Sequence, residues 1–454
     1  MTMHLYDTAL QQVVPLPQRD AGKVSMYVCG PTVYGPPHLG HGRHVLVYDV
    51  LRRYLSWSGL DVRFVSNITD IDDKIIARAI DEGRDSADIA RKCEVIWWEA
   101  LERIDVLRPD DIPHATDYVD EMVALIVELV ERDAAYLTSD GVYLDVAAVE
   151  GYGLLAHQSL DNLQEGGGDR EVVGADEKRH PADFALWKLA KEGEPWWPSP
   201  WGDGRPGWHT ECVVMSLGLL GEGFDLHTGG LDLTFPHHEN ERAQAVAWGR
   251  DFAAHWMHHG FVELDGEKMS KSLGNVMNLL DLTEAHDPRA FRLLILRSHY
   301  RSPMEVTTAT LTDAEAALDR LDAFARRTYG LDGTPDTEVL AAFRTAMEND
   351  LETAAAVDLM FRQVREANTA LDGGDEVTAA VAAASAREIA ATLGLRLNEE
   401  EAAVPADVEA MVADRQAARA AKDFATADAL RDRLTEMGWS IEDGPDGPVA
   451  RPIG

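Results

Sequence analysis

A buried strand, a helix and a second strand within the first 66 residues constrain this chain more than any other feature. Val24-Ser25-Met26-Tyr27-Val28-Cys29 is an apolar run of strand length. Arg43–Ser58 carries its apolar residues at helical spacing, and Asp61–Ser66 reads as a strand again. Such alternation predicts parallel strands joined by right-handed crossovers, hence a doubly wound α/β sheet. The strand pattern resumes only at Phe224–Thr228 and His255–Leu264. Between them come helical patterns as far as Glu131, then a strand-like pair, Ala135–Thr138 and Gly141–Val146. Residues 147–207 read as irregular, with Gly166-Gly167-Gly168 and a Trp-Pro-rich stretch from Pro195 to Trp208. Residues 110–205 are therefore expected to be an insertion that splits a catalytic domain spanning 1–305.

Beyond Leu311 the character changes. Ala-, Arg- and Glu-rich segments of helical period run to Gly394, as in a helical bundle over 306–400. After the loop Asn398–Pro405, two helical segments, Val408–Lys422 and Phe424–Met437, precede a hairpin over Trp439–Arg451. These make a small α+β module over 401–454. An enzyme acting on a small molecule alone has no evident need for this C-terminal third, so something large is expected to be held there.

Charge leaves that partner open. The net charge of -37 argues on its face against a nucleic acid. It is a whole-molecule sum, however, and Arg320, Arg326 and Arg327 in one helical segment, with Arg415 and Arg419 in another, could form local basic faces. Pairing with nearby carboxylates is the plainer reading of those arginines. No apolar run reaches membrane-spanning length, and Met1–Asp7 lacks the basic-then-apolar pattern of a signal peptide. Cys29, Cys93 and Cys212 are too few and too scattered for a disulfide framework, so a cytoplasmic protein with reduced thiols is expected.

Two short motifs point to chemistry. Pro37-His38-Leu39-Gly40-His41 follows the first strand and puts two imidazoles three residues apart at a helix start. Lys268-Met269-Ser270-Lys271-Ser272 puts two ammonium groups three apart in a polar segment bounded by Gly266 and Gly274. Imidazoles and helix-terminal N–H groups at one place, with mobile cations at another, suit a triphosphate that must lose pyrophosphate. Alone, the histidines could simply cap a helix, and the lysines could be solvated surface. In this order the pair resembles the nucleotide site of class I aminoacyl-tRNA synthetases, which implies ATP binding by His38, Gly40, His41, Lys268 and Lys271. The resemblance makes His38, His41, Lys268 and Lys271 the catalytic set.

A third constellation is a candidate metal site. In Phe235-Pro236-His237-His238-Glu239-Asn240-Glu241 the proline suits a helix start, which would put His237 and Glu241 on one face at i and i+4. Cys212 lies in a helical segment, and Cys29 ends the first strand, at the edge where such sheets bind ligands. Two thiolates, an imidazole and a carboxylate make a sound zinc shell. Two buried structural cysteines and a surface helix face would give the same pattern.

Tyr27-Val28-Cys29-Gly30-Pro31-Thr32-Val33-Tyr34, Asn67-Ile68-Thr69-Asp70-Ile71-Asp72-Asp73-Lys74, Gly204-Arg205-Pro206-Gly207-Trp208-His209-Thr210-Glu211-Cys212 and the Phe235–Glu241 run together resemble the cysteinyl-tRNA synthetase family over nearly the whole chain. The resemblance implies a Rossmann-like doubly wound catalytic domain, a helical tRNA-binding domain and a C-terminal anticodon-recognition module. It implies zinc on Cys29, Cys212, His237 and Glu241, with Thr69 and Trp208 lining the amino-acid pocket. ATP with Mg2+, L-cysteine and tRNA(Cys) would be the substrates of a two-step ligation through cysteinyl-adenylate, on a monomer in the cytoplasm. A thiophilic metal would select the cysteine thiol over the serine hydroxyl, a distinction that packing alone makes poorly. The rival is a cysteine ligase that joins cysteine to an amino-sugar, a class without the full C-terminal module.

Three departures from the family pattern stand out. Leu39 replaces isoleucine, Gly42 replaces alanine, and Met347-Glu348-Asn349-Asp350-Leu351-Glu352-Thr353 replaces an Asp-Asp-Phe-Asn-Thr pattern, so its tRNA contacts are in doubt.

Overall fold

The computed structural model describes residues 2–163, 177–264, 267–268, 277–399, 405–444 and 447–452. A hairpin of β1 (His4–Asp7) and β2 (Gln12–Pro15) leads into β3 (Lys23–Val28), α1 (Leu39–Trp57) and β4 (Asp61–Ser66). The helix starts four residues earlier than its apolar period suggests because the His38–His41 pair closes its first turn. His41 N–H donates to His38 Nδ1 at 3.4 Å, and His38 N–H donates to His41 Nδ1 at 3.2 Å. This is a capping box built from imidazoles.

Next come α2 (Asp73–Glu82), α3 (Ser86–Arg103) and α4 (Val119–Glu131). The insertion then forms an antiparallel sheet in the order β5 (Ala135–Leu137), β6 (Gly141–Leu144), β7 (Phe184–Leu189) and β8 (Gly204–Pro206). Half of that sheet lies in the stretch expected to be irregular. Its anchor is Trp187, fully buried on β7. Surrounding glycines and prolines hide a six-residue strand from pattern reading, because they signal turns whatever lies between them.

The chain returns to the first sheet through α5 (Trp208–Leu220), β9 (Leu226–Gly230), α6 (Glu239–Trp248) and β10 (Trp256–His259). The resulting sheet is wholly parallel, in the order β10-β9-β3-β4, with Tyr27 beside His227 and Val28 beside Thr228. The expected single strand over His255–Leu264 is broken at Gly260, where a Cβ would lie 2.6 Å from the carbonyls of Arg301 and Ser302. Its second part, β11 (Val262–Leu264), pairs instead with β12 (Glu267–Lys268) and β13 (Met304–Glu305). Between them lie α7 (Leu279–Ala285) and α8 (Pro288–Leu296).

Four helices follow: α9 (Thr308–Arg327), α10 (Thr337–Glu348), α11 (Thr353–Asp372) and α12 (Glu376–Thr392). Their apolar faces are continuous with that of α1. Tyr54 and Trp57 pack edge-on against Phe343 at 5.9 and 5.1 Å, and Trp57 Nε1 donates to Glu388 at 2.7 Å. Buried charge ties the same joint: Asp49 accepts from Arg292 at 2.6 Å and from Arg53 at 2.8 Å. The unusual Met347–Thr353 segment is a joint too. Asp350, at φ 56°, accepts from Tyr6 N–H at 2.8 Å, from Tyr300 Oη at 2.7 Å and from Arg301 Nε at 2.8 Å. The last elements, α13 (Ala406–Ala420), α14 (Phe424–Glu436), β14 (Trp439–Gly444) and antiparallel β15 (Gly447–Pro452), close over a separate small core of Val408, Leu434 and Ala450. No helix among the described residues is long and apolar enough to cross a membrane.

Gly42 fits its place. A Cβ there would lie 2.7 Å from the Phe291 ring and 3.1 Å from Leu279, so the close approach of α1 to α8 accounts for the small residue.

Candidate functional site

Four side chains far apart in sequence meet at the carboxyl end of the parallel sheet. Cys29 follows β3 directly and Cys212 lies in the first turns of α5. His237 sits in a wide turn over Thr234–His238, and Glu241 in the first turn of α6. That turn differs from the expected Pro-initiated helix: Phe235 is extended, and regular helix starts only at Glu239. The i,i+4 pairing survives, with His237 Nε2 2.9 Å from Glu241 Oε1. Cys29 Sγ lies 3.8 Å from Cys212 Sγ and 3.5 Å from Glu241 Oε1, and Cys212 Sγ lies 3.7 Å from His237 Nε2. All four are buried, and their donor atoms lie within 4.8 Å of one another. An apolar core has no use for two thiols, an imidazole and a carboxylate so close, so this donor set fits a metal ion.

A second donor set overlaps the first. His227 and His238 join Cys29 and Glu241, with His227 Nε2 2.7 Å from Glu241 Oε2 and His238 Nε2 3.3 Å from Cys29 Sγ. Sequence reasoning missed both. The available signal was an imidazole at the inner end of an apolar strand for His227, and the second half of a His-His pair for His238.

Protonation follows from burial and contact. Burial pushes the Cys29 thiol up, whereas a hydrogen bond from Cys29 brings Cys212 down to about 6 against the opposing effect of burial. The pair therefore holds one proton, on Cys29. Burial works against ionisation of Glu241 and His237, but their mutual contact prevails, together with His227 on the carboxylate. Glu241 falls to about 2 and His237 rises to about 10. Beneath them, burial pushes His238, His44 and His258 down, with His44 at about 4 and His258 at about 3.

The flanking residues are also in place. Trp208 stacks on the His237 ring at 4.1 Å and 15°. Thr69 Oγ1 donates to Glu211 Oε2 at 2.8 Å and receives a bond from Asn67 Nδ2 at 3.2 Å. Glu211, which sequence reasoning also missed, is held well above the usual carboxylate range by burial and then by Cys212. Its Oε1 has no partner. Gly30 allows Cys29 to sit here: its N–H donates to Asn67 Oδ1 at 2.8 Å, and a Cβ would fall 1.6 Å from Asn67 O. Gly30→Ala is expected to destabilise the protein by about 3 kcal/mol. A urea midpoint equal to that of the wild type would contradict this close approach.

His38 and His41 stand at the N-terminus of α1 with their rings stacked at 3.7 Å, so their capping role is real and leaves their outer faces at a helix N-terminus. Gly40 is in the same first turn. Lys268 is in β12, but Lys271 lies outside the described residues, as does the rest of the Met269–Ser272 run. The chain emerging from that run returns to the first motif. Leu39 N–H donates to Met277 O at 3.2 Å, and Leu279 N–H to Pro37 O at 2.9 Å. Arg327, one of the arginines considered for a basic face, pairs with Asp372 and bonds Asn368 at 3.1 Å, the plainer of the two readings.

Comparison with known proteins gives the family of the chain. Residues 15–316 match the family of tRNA synthetases class I (C) catalytic domains, residues 342–398 the DALR domain, and residues 401–448 the cysteinyl-tRNA ligase anticodon binding domain. Cysteine–tRNA ligase from Streptomyces avermitilis is 42% identical over 99% of this chain and 98% of its own length. That from Halorhodospira halophila is 45% identical over 95% and 96%. Among solved structures, Mycobacterium tuberculosis methionyl-tRNA synthetase bound to methionyl-adenylate shares the fold. Its TM-score is 0.63 at 15% identity, over 83% of this chain and 92% of that one. With matches along both the catalytic and the C-terminal parts, the chain belongs to the cysteine–tRNA ligase family of class I aminoacyl-tRNA synthetases.

Proposed function

We propose that this enzyme ligates L-cysteine to tRNA(Cys) at the expense of ATP. The observation that carries the reading is the buried Cys29–Cys212–His237–Glu241 set beside the Thr69–Glu211 and Trp208 side chains, at the ligand edge of a class I sheet. In the first step a carboxylate oxygen of cysteine attacks the α-phosphorus of ATP, forming cysteinyl-adenylate and releasing pyrophosphate. In the second a terminal ribose hydroxyl of tRNA attacks the activated carbonyl and AMP leaves. His38, Gly40 and His41 face the phosphates at the helix N-terminus, and Lys268 and Lys271 neutralise the departing pyrophosphate with Mg2+. Thr69 and Trp208 wall the amino-acid pocket. Residues 306–400 and 401–454 hold the tRNA, the latter at its anticodon. The match of 401–448 to an anticodon-binding family favours this over an amino-sugar ligase. We place the activity on a monomer in the cytoplasm.

Cys29, Cys212, His237 and Glu241 would hold zinc, the two soft sulfur donors favouring it over a harder cation. A bound zinc ion supplies a thiophilic Lewis acid for the substrate sulfur. The protonation of the set predicts how uptake responds to pH. At pH 7 Cys212 and Glu241 are already anionic, whereas Cys29 and His237 each carry a proton that a metal must displace. Zinc uptake by the apo-protein is therefore expected to release about two protons, so that affinity rises about 100-fold per pH unit near neutrality. Calorimetry in two buffers of different ionisation enthalpy counts the protons directly, and a count near zero would contradict the assignment.

The activity test is cysteine-dependent ATP–pyrophosphate exchange run beside cysteine transfer to bulk tRNA, with serine as competitor. Exchange with charging, and no serine product, supports the reading. Exchange without charging points to the amino-sugar ligase instead.

A further inference from the structure

We propose that Arg43 is a positioning residue for the adenylation step: its guanidinium holds the helix bearing His38 and His41 in register with the small sheet bearing Lys268. The inference rests on the nucleotide-site reading given above. Arg43 lies in α1 two residues beyond His41 and is 1% exposed. Its fork reaches two stretches of backbone that are far apart in sequence. Nη1 donates to Phe261 O at 2.6 Å, and Nη2 donates to Tyr300 O at 2.9 Å and Ser302 O at 2.5 Å. Phe261 stands immediately before β11 and Ser302 two residues before β13, strands that pair in parallel, Val262 with Met304. On its other edge β11 pairs with β12, Glu263 opposite Lys268. One side chain from the helix of the first motif thus fastens the entry of two strands, and the next strand carries the lysine.

The carbonyls do not need the arginine for their own sake. Phe261 O also accepts from Met304 N–H at 2.9 Å, and Tyr300 O from Gly260 N–H at 2.8 Å. The arginine meanwhile pays for its place. Burial brings its pKa down to about 10, and Nε is shielded from solvent without a partner. Among the described residues, the hydrogen bonds of this guanidinium all go to backbone carbonyls. An apolar side chain of similar volume would fill the space without burying a charge. What the planar fork adds is direction, since its fixed N–H vectors set two backbones at one distance from α1.

The far side of this junction is fixed too. Asp350 accepts from Tyr300 Oη at 2.7 Å and from Arg301 Nε at 2.8 Å, so Arg43 is tied to an anchored stretch and not to a free loop. At Gly260 a Cβ would lie 2.6 Å from the carbonyl oxygens of both Arg301 and Ser302, which leaves the two backbones in close contact beneath the fork. Groups that act together on a triphosphate need such a frame, because a misplacement of about 1 Å can cost about 100-fold in rate.

The test compares the full-length wild type with Arg43→Met, Arg43→Lys, Lys268→Ala and the two double variants. Arg43→Met is expected to lower kcat for cysteine-dependent ATP–pyrophosphate exchange about 100-fold. Its KM for cysteine should stay within about twofold, as for a group that does not bind the amino acid, and its zinc content should equal that of the wild type. Arg43→Lys, which offers one ammonium in place of the fork, should recover part of the rate. The deciding readout is a double-variant cycle. Lys268→Ala should cost the wild type at least about tenfold more than it costs Arg43→Met, because a lysine already out of register has less to lose. An arginine with a merely structural role would lower folded fraction, zinc content and rate together and leave the cost of Lys268→Ala unchanged. Should Arg43→Met fail to fold, the cycle runs on Arg43→Lys with the same direction expected. Equal costs of Lys268→Ala in both backgrounds, or exchange by the Arg43 variants within about twofold of wild type, overturn this inference alone. A wild-type enzyme without cysteine-dependent exchange, or one that Lys268→Ala leaves unimpaired, overturns the nucleotide-site reading as well.

Discussion

Cys212→Ser is expected to lose the bound metal and to lower cysteine-dependent ATP–pyrophosphate exchange by at least about 100-fold, since disturbing even outer-sphere partners of metal ligands commonly costs up to that much. The substitution changes one atom. Serine keeps the volume but replaces a thiol that ionises at about 6 by a hydroxyl that stays protonated at any working pH. The neighbouring groups are then mismatched. Cys29 loses the thiolate 3.8 Å away that accepts its S–H, and His237 loses one of its two anionic contacts. Cys93→Ser is the control, because Cys93 is buried on α3 away from the set, against Arg78 Nη1 at 3.4 Å. Metal content by mass spectrometry and exchange rate should fall together in the first variant and in neither for the second. A Cys212→Ser enzyme that keeps a full metal complement would remove Cys212 from the ligand set.

The second large effect lies away from the chemistry. Asp49→Ala is expected to destabilise the protein by about 3–5 kcal/mol, the range found when one member of a buried ion pair is removed. Asp49 is 1% exposed at its side chain and Arg292 is 2% exposed. Besides the two arginines, Asp49 accepts from Leu107 N–H at 2.9 Å. Arg292 otherwise has only carbonyls, those of Ile104 and Asp105 at 3.0 and 2.8 Å among them. Without Asp49 its charge is left inside the protein with no carboxylate bonded to it, and burial already works to lower its pKa. Urea unfolding measures the loss. Adding Arg292→Leu should restore part of it, because the unpaired charge goes too. A single-variant loss below about 1 kcal/mol would put the pair among the weak surface bridges.

What the sequence made legible, and what it hid, follows from whether a residue's role is local. Strands β3 and β4 and helix α1 could be read because each is a short apolar pattern, and parallel pairing follows from their alternation. His237 and Glu241 could be paired because a helical turn sets their distance, and that held although the turn before Glu239 was not regular. Cys29 and Cys212 were placed in the right elements, but their 3.8 Å separation depends on β3 meeting α5 in space, which no spacing encodes. Glu211 shows the limit most clearly. A glutamate in the first turn of a helix reads as solvent-facing, yet it is buried against Thr69 because the loop after β4 folds over α5. The Met347–Thr353 segment was read as a departure bearing on tRNA. Its Asp350 is held by the first strand of the chain and by the segment before β13, a partnership 344 residues long that only tertiary structure shows.

The bond from Trp57 to Glu388 spans 331 residues, and it marks where the apolar flank of α1 is finally covered. On the ribosome, α1 emerges early, but the helices that shield Tyr54 and Trp57 arrive last among the elements of this joint. At elongation rates of roughly 5–20 residues per second, that interval is about 15–65 s. For that time the nascent chain carries a finished helix with one greasy side open to solvent. The same continuity that joins sheet to bundle in the finished enzyme thus makes its synthesis a period of exposure, in which the first part of the chain must be sheltered until the rest is made.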